Sequence, residues 1–240
     1  MSRLQTALLS FALVAALPLV AGATSYNPVS LFSFATNPGT NWSYGYGAVG
    51  TGAITLYGTP ITESGTGYSY TGWSLNGGLP VVEVGSGLEP NTKNAPAGDL
   101  LMHPGDSDSQ ASILVFTAPT TGSYSLSGLF ERDDVSSLGN GTHVYICENT
   151  TDCSLYSINL PASGGYLTQQ TFSLTENLTA GQTLDFEVAR VGSFVFDSTG
   201  LQLNITGPSL NVVPEPSSLV FLGTGIVGLA GVARRKLFRS

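Results

Sequence analysis

The sequence predicts an all-β protein: a two-sheet antiparallel β-sandwich, jelly-roll-like, set between an N-terminal signal peptide and a C-terminal single transmembrane helix. Three observations predict it. Apolar residues recur with a period of two along most of the chain, which puts them on one face of extended strands. Turn-forming clusters interrupt those runs at short intervals: Ala118-Pro119-Thr120-Thr121-Gly122, Gly139-Asn140-Gly141, Ala162-Ser163-Gly164-Gly165 and Ala180-Gly181. Between the two ends, no segment carries the apolar stripe of a long amphipathic helix.

At the N-terminus, Arg3 supplies a positive charge, Ala7–Val20 an apolar run, and Ala21-Gly22-Ala23 a small-residue cleavage site. Residues 1–23 are therefore read as a signal peptide. Residues 24–211 follow, about 188 residues and enough for one domain with a sizeable core. The first half, Tyr26–Gly98, is irregular and rich in glycine. Trp42, Tyr44, Tyr46, Tyr57, Tyr68, Tyr70 and Trp73 all fall within it. Asn91–Gly98, with Pro90 and Pro96, reads as a loop and as the one internal seam. The domain is not divided there, because neither side alone has enough patterned strands to close a sandwich.

The second half is more regular. Ser112–Thr117 is continuously apolar through Ile113, Leu114, Val115 and Phe116, which predicts a central strand. Tyr124 and Leu126 alternate with serines, Val144 and Ile146 with His143, Tyr145 and Cys147, and Phe172 and Leu174 flank Ser173. Leu184, Phe186 and Val188 alternate with Asp185 and Glu187, and Leu201, Leu203 and Ile205 share a face opposite Gln202 and Asn204. Each of these strands is expected to turn its polar face to water.

Cys147 and Cys153 are the two cysteines. In an oxidising compartment, two thiols separated by Glu148-Asn149-Thr150-Thr151-Asp152 predict a disulfide at a hairpin tip. Residues 24–211 hold three basic side chains, Lys93, Arg132 and Arg190, against fifteen acidic ones, a net charge of −12. That balance disfavours binding to phosphate backbones, which depends on Lys and Arg, so no nucleic-acid partner is expected. It suits a soluble exported protein or one that collects divalent cations.

The C-terminal segment, 212–240, has three parts. Pro214-Glu215-Pro216 forbids helix; an uncharged run at 217–233 could cover roughly 26 Å as a helix at about 1.5 Å per residue; and 234–240 brings Arg234, Arg235, Lys236 and Arg239 to the cytoplasmic side. This order of motif, apolar span and basic tail closely resembles the PEP-CTERM sorting signal of Gram-negative bacteria, also called the ice-binding-protein C-terminal domain. The resemblance implies a temporary membrane anchor, recognition by an exosortase with cleavage near Pro214, Glu215 and Pro216, and delivery to the cell surface or extracellular matrix.

A second resemblance lies in the domain itself. Asn41-Trp42-Ser43-Tyr44-Gly45-Tyr46, Leu101-Met102-His103-Pro104-Gly105, Phe116-Thr117-Ala118-Pro119 and Thr121-Gly122-Ser123-Tyr124-Ser125-Leu126-Ser127-Gly128 lead on to Leu178–Phe186. The order is similar to the β-sandwich ectodomains of PEP-CTERM proteins, and through them to jelly-roll carbohydrate-binding modules. It implies a fold and brings no catalytic residues.

Trp and Tyr rings have flat apolar faces and polar edges suited to stacking on sugars. Trp42, Tyr44, Tyr46, Tyr70 and Trp73 are therefore the candidate ligand-binding residues, unless their alternation marks a core face. Asp106 and Asp108, in a polar loop, are the candidate ligands of a structural calcium ion; no other cofactor is implied. Neither His103 nor His143 sits in a nucleophile or zinc motif. Two functions remain open: a non-catalytic surface or matrix protein that binds exopolysaccharide or another matrix component, and a secreted glycan-active enzyme using surface carboxylates such as Glu131 and Asp133. A matrix protein with no discrete ligand is not separable from the first by sequence.

Overall fold

Every period-two segment forms a strand. The computed structural model describes residues 23–136, 138–208 and Gly225. The expected signal peptide up to Gly22, the Pro214-Glu215-Pro216 motif, the span at 217–233 apart from Gly225, and the basic tail at 234–240 lie outside the described residues. Among the described residues no helix is long and apolar enough to cross a membrane.

The strands are β1 Ala23–Tyr26, β2 Trp42–Gly47, β3 Thr55–Leu56, β4 Thr59–Gly65, β5 Tyr68–Leu75, β6 Gly78–Leu88, β7 Asn94–Ala95 and β8 Leu100–His103. They continue as β9 Ala111–Thr117, β10 Gly122–Arg132, β11 Gly141–Glu148, β12 Asp152–Pro161, β13 Gln169–Leu178, β14 Thr183–Arg190 and β15 Thr199–Pro208. One sheet runs β13-β10-β15-β8-β6-β5-β4, with β1 added to β15 and β7 to β6. The other runs β12-β11-β14-β9-β2-β3. Within the last eight strands the antiparallel pairs are nested: β8 with β15, β9 with β14, β10 with β13, β11 with β12. Successive pairs fall in alternate sheets, which is the winding of a jelly roll.

That nesting corrects the reason for leaving the domain undivided at the seam, that neither side alone can close a sandwich. From Leu100 onward the chain holds a complete set of jelly-roll pairings, and the first half widens both sheets rather than closing them. What joins the halves is the core. Trp42, Tyr44, Tyr57 and Trp73 from the first half pack in one cluster with Leu114, Phe116, Phe130 and Phe186 from the second. Ala111–Phe116 of β9 are buried at every position, the central placement expected of the continuously apolar run.

The polar faces are a second correction. On the outer side of the first sheet, Glu83 and Glu131 are buried, and on that of the second, so are Asp185 and Glu187. Irregular segments cover them. Over the first sheet lies the stretch through β7, held by Asn94 N donating to Asp133 O at 2.9 Å and Ala95 N donating to the Tyr70 hydroxyl at 3.1 Å. Over the second, the β2–β3 loop docks on the β11–β12 tip through Gly52 N donating to Thr150 O at 2.9 Å. At that tip Cys147 and Cys153 form the expected disulfide.

Candidate ligand-binding site

The outer face of the second sheet holds a recess of about 300 Å³ whose lining includes Val49, Asp108, Ala111, Tyr145, Ala189 and Arg190. Its floor is made by short side chains. Ala189 stands opposite His143 in the β11–β14 register, and Ala111 opposite Gly47 in the β2–β9 register. Positions 143 and 145 of β11 point to one face because strand side chains alternate. Their rings stack at 4.3 Å between centroids and 10° between planes, and His143 Nε2 lies 2.8 Å from Ser157 Oγ.

Arg190 forms the opposite wall. Its Nη1 donates to Gly192 O at 2.6 Å, Nε donates to Asp108 Oδ1 at 3.1 Å, and Nη2 lies 2.9 Å from the same oxygen. Asp108 is 93 % exposed in its side chain, so this ion pair orients the guanidinium and adds little stability. The β8–β9 loop that carries Asp108 is itself fixed: Gly105 N donates to Gln110 O at 2.8 Å, and Asp106 N to Gln110 Oε1 at 3.0 Å. Of the three basic side chains among the described residues, Lys93 and Arg132 are buried. Arg190 is thus the least buried of the described cations; Lys93, held by Glu63 and Glu83, lines a separate cavity of about 320 Å³. Burial pushes the Tyr145 hydroxyl upward, with Glu187 adding to it, and pushes His143 downward, so that both rings are uncharged at neutral pH. Flat rings, an arginine fork, a carboxylate and a small apolar floor together can stack a sugar ring and hydrogen-bond its hydroxyls.

The aromatic residues singled out from sequence are placed elsewhere. Trp42, Tyr44 and Trp73 are buried between the sheets; Tyr46 is partly buried against the same core and stacks on Tyr57 at 5.7 Å. Trp73 Nε1 donates to Ser33 O at 2.8 Å. Tyr70 faces the other side of its sheet but is covered by the segment through β7, packing with Ala95 and Leu101 and donating its hydroxyl to Gly87 O. None of the four buried rings presents a face to solvent, so they form core and not a platform. The reason is the one already visible in their alternation: residues sharing a strand face with buried partners are buried with them. His143 and Tyr145 were the detectable signal, as aromatic side chains on the polar face of a strand.

Asp106 and Asp108, the residues expected to hold calcium, lie in the β8–β9 loop. Asp108 is engaged by Arg190. Among the described residues, the carboxylate, histidine and cysteine groups close enough to hold an ion are Asp99/Glu131/Asp133 and Cys147/Cys153/Glu187. The sulfurs of the second group are joined in the disulfide. Glu131 and Asp133, expected as surface carboxylates, are buried, 1 % and 0 % exposed. Burial first, and then neighbouring carboxylates, push Asp133 up to about 9 and Asp99 up to about 8. His103 is buried at the end of β8 with Nδ1 2.8 Å from Pro104 O, the backbone contact of a turn residue.

The chain matches the family model described as the PEP-CTERM protein-sorting motif at residues 212–236. Comparison with curated proteins finds no significant match. Among solved structures, the chain is similar to a family 51 carbohydrate-binding module from Clostridium perfringens, in complex with methyl-galactose, at 14 % identity and TM-score 0.36, covering 76 % of this chain and 99 % of that one. A family 35 module in complex with a glucuronic acid-containing disaccharide matches at 16 % identity and TM-score 0.34, covering 62 % and 94 %. A native family 35 module from Clostridium thermocellum matches at 16 % and 0.27, covering 45 % and 87 %. At these scores the likenesses carry no residue correspondences, and the recess stands on its own geometry.

Proposed function

We propose that this chain is an exported protein, sorted by an exosortase to the surface of a Gram-negative cell or its matrix, whose β-sandwich binds polysaccharide without processing it. The sorting part rests on the PEP-CTERM motif at 212–236. The binding part rests on one observation: the recess brings Tyr145, on which His143 stacks, together with Arg190, the least buried described cation. Asp108 is the single carboxylate of that lining. Glycoside hydrolysis ordinarily requires two, flanking the scissile bond, so a non-catalytic role fits the geometry better.

Affinity electrophoresis of the full-length chain, purified in detergent, against a range of neutral and acidic exopolysaccharides tests the binding. Retardation is expected on at least one, lost in Tyr145→Ala and Arg190→Ala while the unfolding temperature stays within a few degrees of wild type. Unaltered retardation in both variants would remove the recess from the proposal. Mass spectrometry of protein from a host with an active exosortase tests the sorting: the residues beyond Pro214 should be missing, and recovery of an intact tail would contradict it.

A further inference from the structure

Asp99, Glu131 and Asp133 come from two separate parts of the chain and meet on the outer face of the first sheet. Each can offer one carboxylate oxygen such that all three atoms lie within 4.8 Å of one another. Their exposures are 1 %, 1 % and 0 %. Both oxygens of Asp99, both of Asp133 and Oε1 of Glu131 lack any hydrogen-bond partner. Only Glu131 Oε2 is engaged, accepting from Gln169 Nε2 at 2.8 Å.

The backbone makes room for these oxygens. Gly200 stands opposite Glu131 in the β10–β15 register. A Cβ at Gly200 would sit 2.7 Å from Asp133 Oδ2 and 2.8 Å from Asp99 Oδ2, closer than real Cβ atoms approach. Two carboxylates therefore occupy the space that any larger residue would fill. No side-chain cation among the described residues forms an ion pair with them, and the attraction of Lys93 on Asp133 is outweighed by burial and the neighbouring carboxylates. Lys93 Nζ lies 2.6 Å from Glu63 and 2.9 Å from Glu83. The Arg132 guanidinium donates to the carbonyls of Asp134, Ser136, Leu138 and Phe196. Arg190 is with Asp108. Buried carboxylates without hydrogen bonds or a counter-charge are strongly unfavourable.

We propose that Asp99, Glu131 and Asp133 bind a divalent cation, and that the ion is calcium. The donors are all carboxylate oxygens, which suit a hard cation and not one that prefers nitrogen or sulfur. One oxygen from each of the three carboxylates converges there, bidentate binding would add more, and water completes the six to eight that calcium takes. Access is through the groove of about 460 Å³ beside β15, whose lining includes Gly98 and Asp99. The ion braces the segment before β8 against the end of β10, fixing the covering loop of the first sheet. In an extracellular setting even a weak site of roughly 10⁻⁴–10⁻³ M is useful.

The test uses the full-length chain in detergent, stripped with chelator and titrated with CaCl₂ or MgCl₂ by calorimetry, with thermal unfolding in parallel. One equivalent of calcium should bind, and at a hundredfold excess over Kd the unfolding temperature should rise by about 5–10 °C. Asp133→Asn keeps the shape and removes one buried charge. The stripped variant should unfold at a higher temperature than stripped wild type, and its calcium affinity should fall at least tenfold. Glu131→Gln should behave the same way and replaces it if Asp133→Asn does not fold. Asp106→Asn should bind as wild type does. Wild type indifferent to calcium, with Asp133→Asn still more stable, would show that protons neutralise the cluster and overturn the proposal. So would calcium binding undiminished in both cluster variants, or tight binding of magnesium alone.

Discussion

Replacing Trp42 separates the core role of the aromatic residues from the platform role that their clustering in sequence suggests. Trp42 is 1 % exposed and packs on Phe116 at 5.2 Å and on Phe186 at 6.4 Å between ring centroids. A buried aromatic of 150–250 Å² contributes roughly 4–6 kcal/mol at about 25 cal/mol per Å². Against this, Nε1 has no hydrogen-bond partner, a desolvation cost of about 1–3 kcal/mol that disappears with the indole. The difference spans about 1–5 kcal/mol, and aromatic-to-alanine changes in cores place Trp42→Ala in its upper part, at about 3–5 kcal/mol. Trp42→Phe loses part of the ring area but also the orphaned N–H, so it should lie within about 1 kcal/mol of wild type. Urea unfolding followed by far-UV circular dichroism reads both. With a slope of about 2 kcal/mol per M, Trp42→Ala lowers the midpoint by about 2 M with unchanged slope. A midpoint unmoved in Trp42→Ala, together with lost polysaccharide binding, would refute the core assignment. A Trp42→Phe variant as unstable as Trp42→Ala would refute the account of the unpartnered indole.

Three other outcomes follow from the covered faces. Removing the disulfide in Cys147→Ala/Cys153→Ala should cost about 2 kcal/mol by loop-closure entropy. Hydrogen exchange should quicken in residues 48–54, because Gly52 is tied to the tip at Thr150; unchanged exchange there would argue against the docking. Burial raises Asp185 to about 7 and Glu187 to about 8, so the folded state holds more protons than the unfolded one between about pH 4 and 8. Their contribution to stability is full below about pH 4 and is lost as pH rises through 7 to 8. In calcium-containing buffer the unfolding temperature should fall between pH 5 and 9, less so in Glu187→Gln; a rise over that range would contradict the sign. Lys93→Ala leaves Glu83 buried without its cation and should cost about 3–5 kcal/mol, whereas Lys93→Met with Glu83→Met should recover most of it in the same urea assay.

The strands were legible because alternation is a local property of the backbone. Leu184, Phe186 and Val188 must share a face whatever β14 pairs with, and that face is the buried one. The disulfide was legible for a similar reason, two cysteines across one hairpin tip. The recess was only half legible. His143 and Tyr145 announce themselves as rings on a polar face, but Asp108 and Arg190, far apart in sequence, meet only once the β8–β9 loop lies beside the end of β14.

By itself, the sequence determined that this is a β-protein with a PEP-CTERM sorting motif, because that motif and strand periodicity are written in consecutive residues. Only the tertiary structure decided which polar residues are wet. Asp185 and Glu131 read as solvent-facing, since alternation reports which side of a strand a residue occupies and not what covers that side. The covering segments, 48–54 and 89–99, carry no period of their own. Their placement depends on contacts across the fold, and those contacts turn two polar faces into buried acidic layers, one of them with room for a cation.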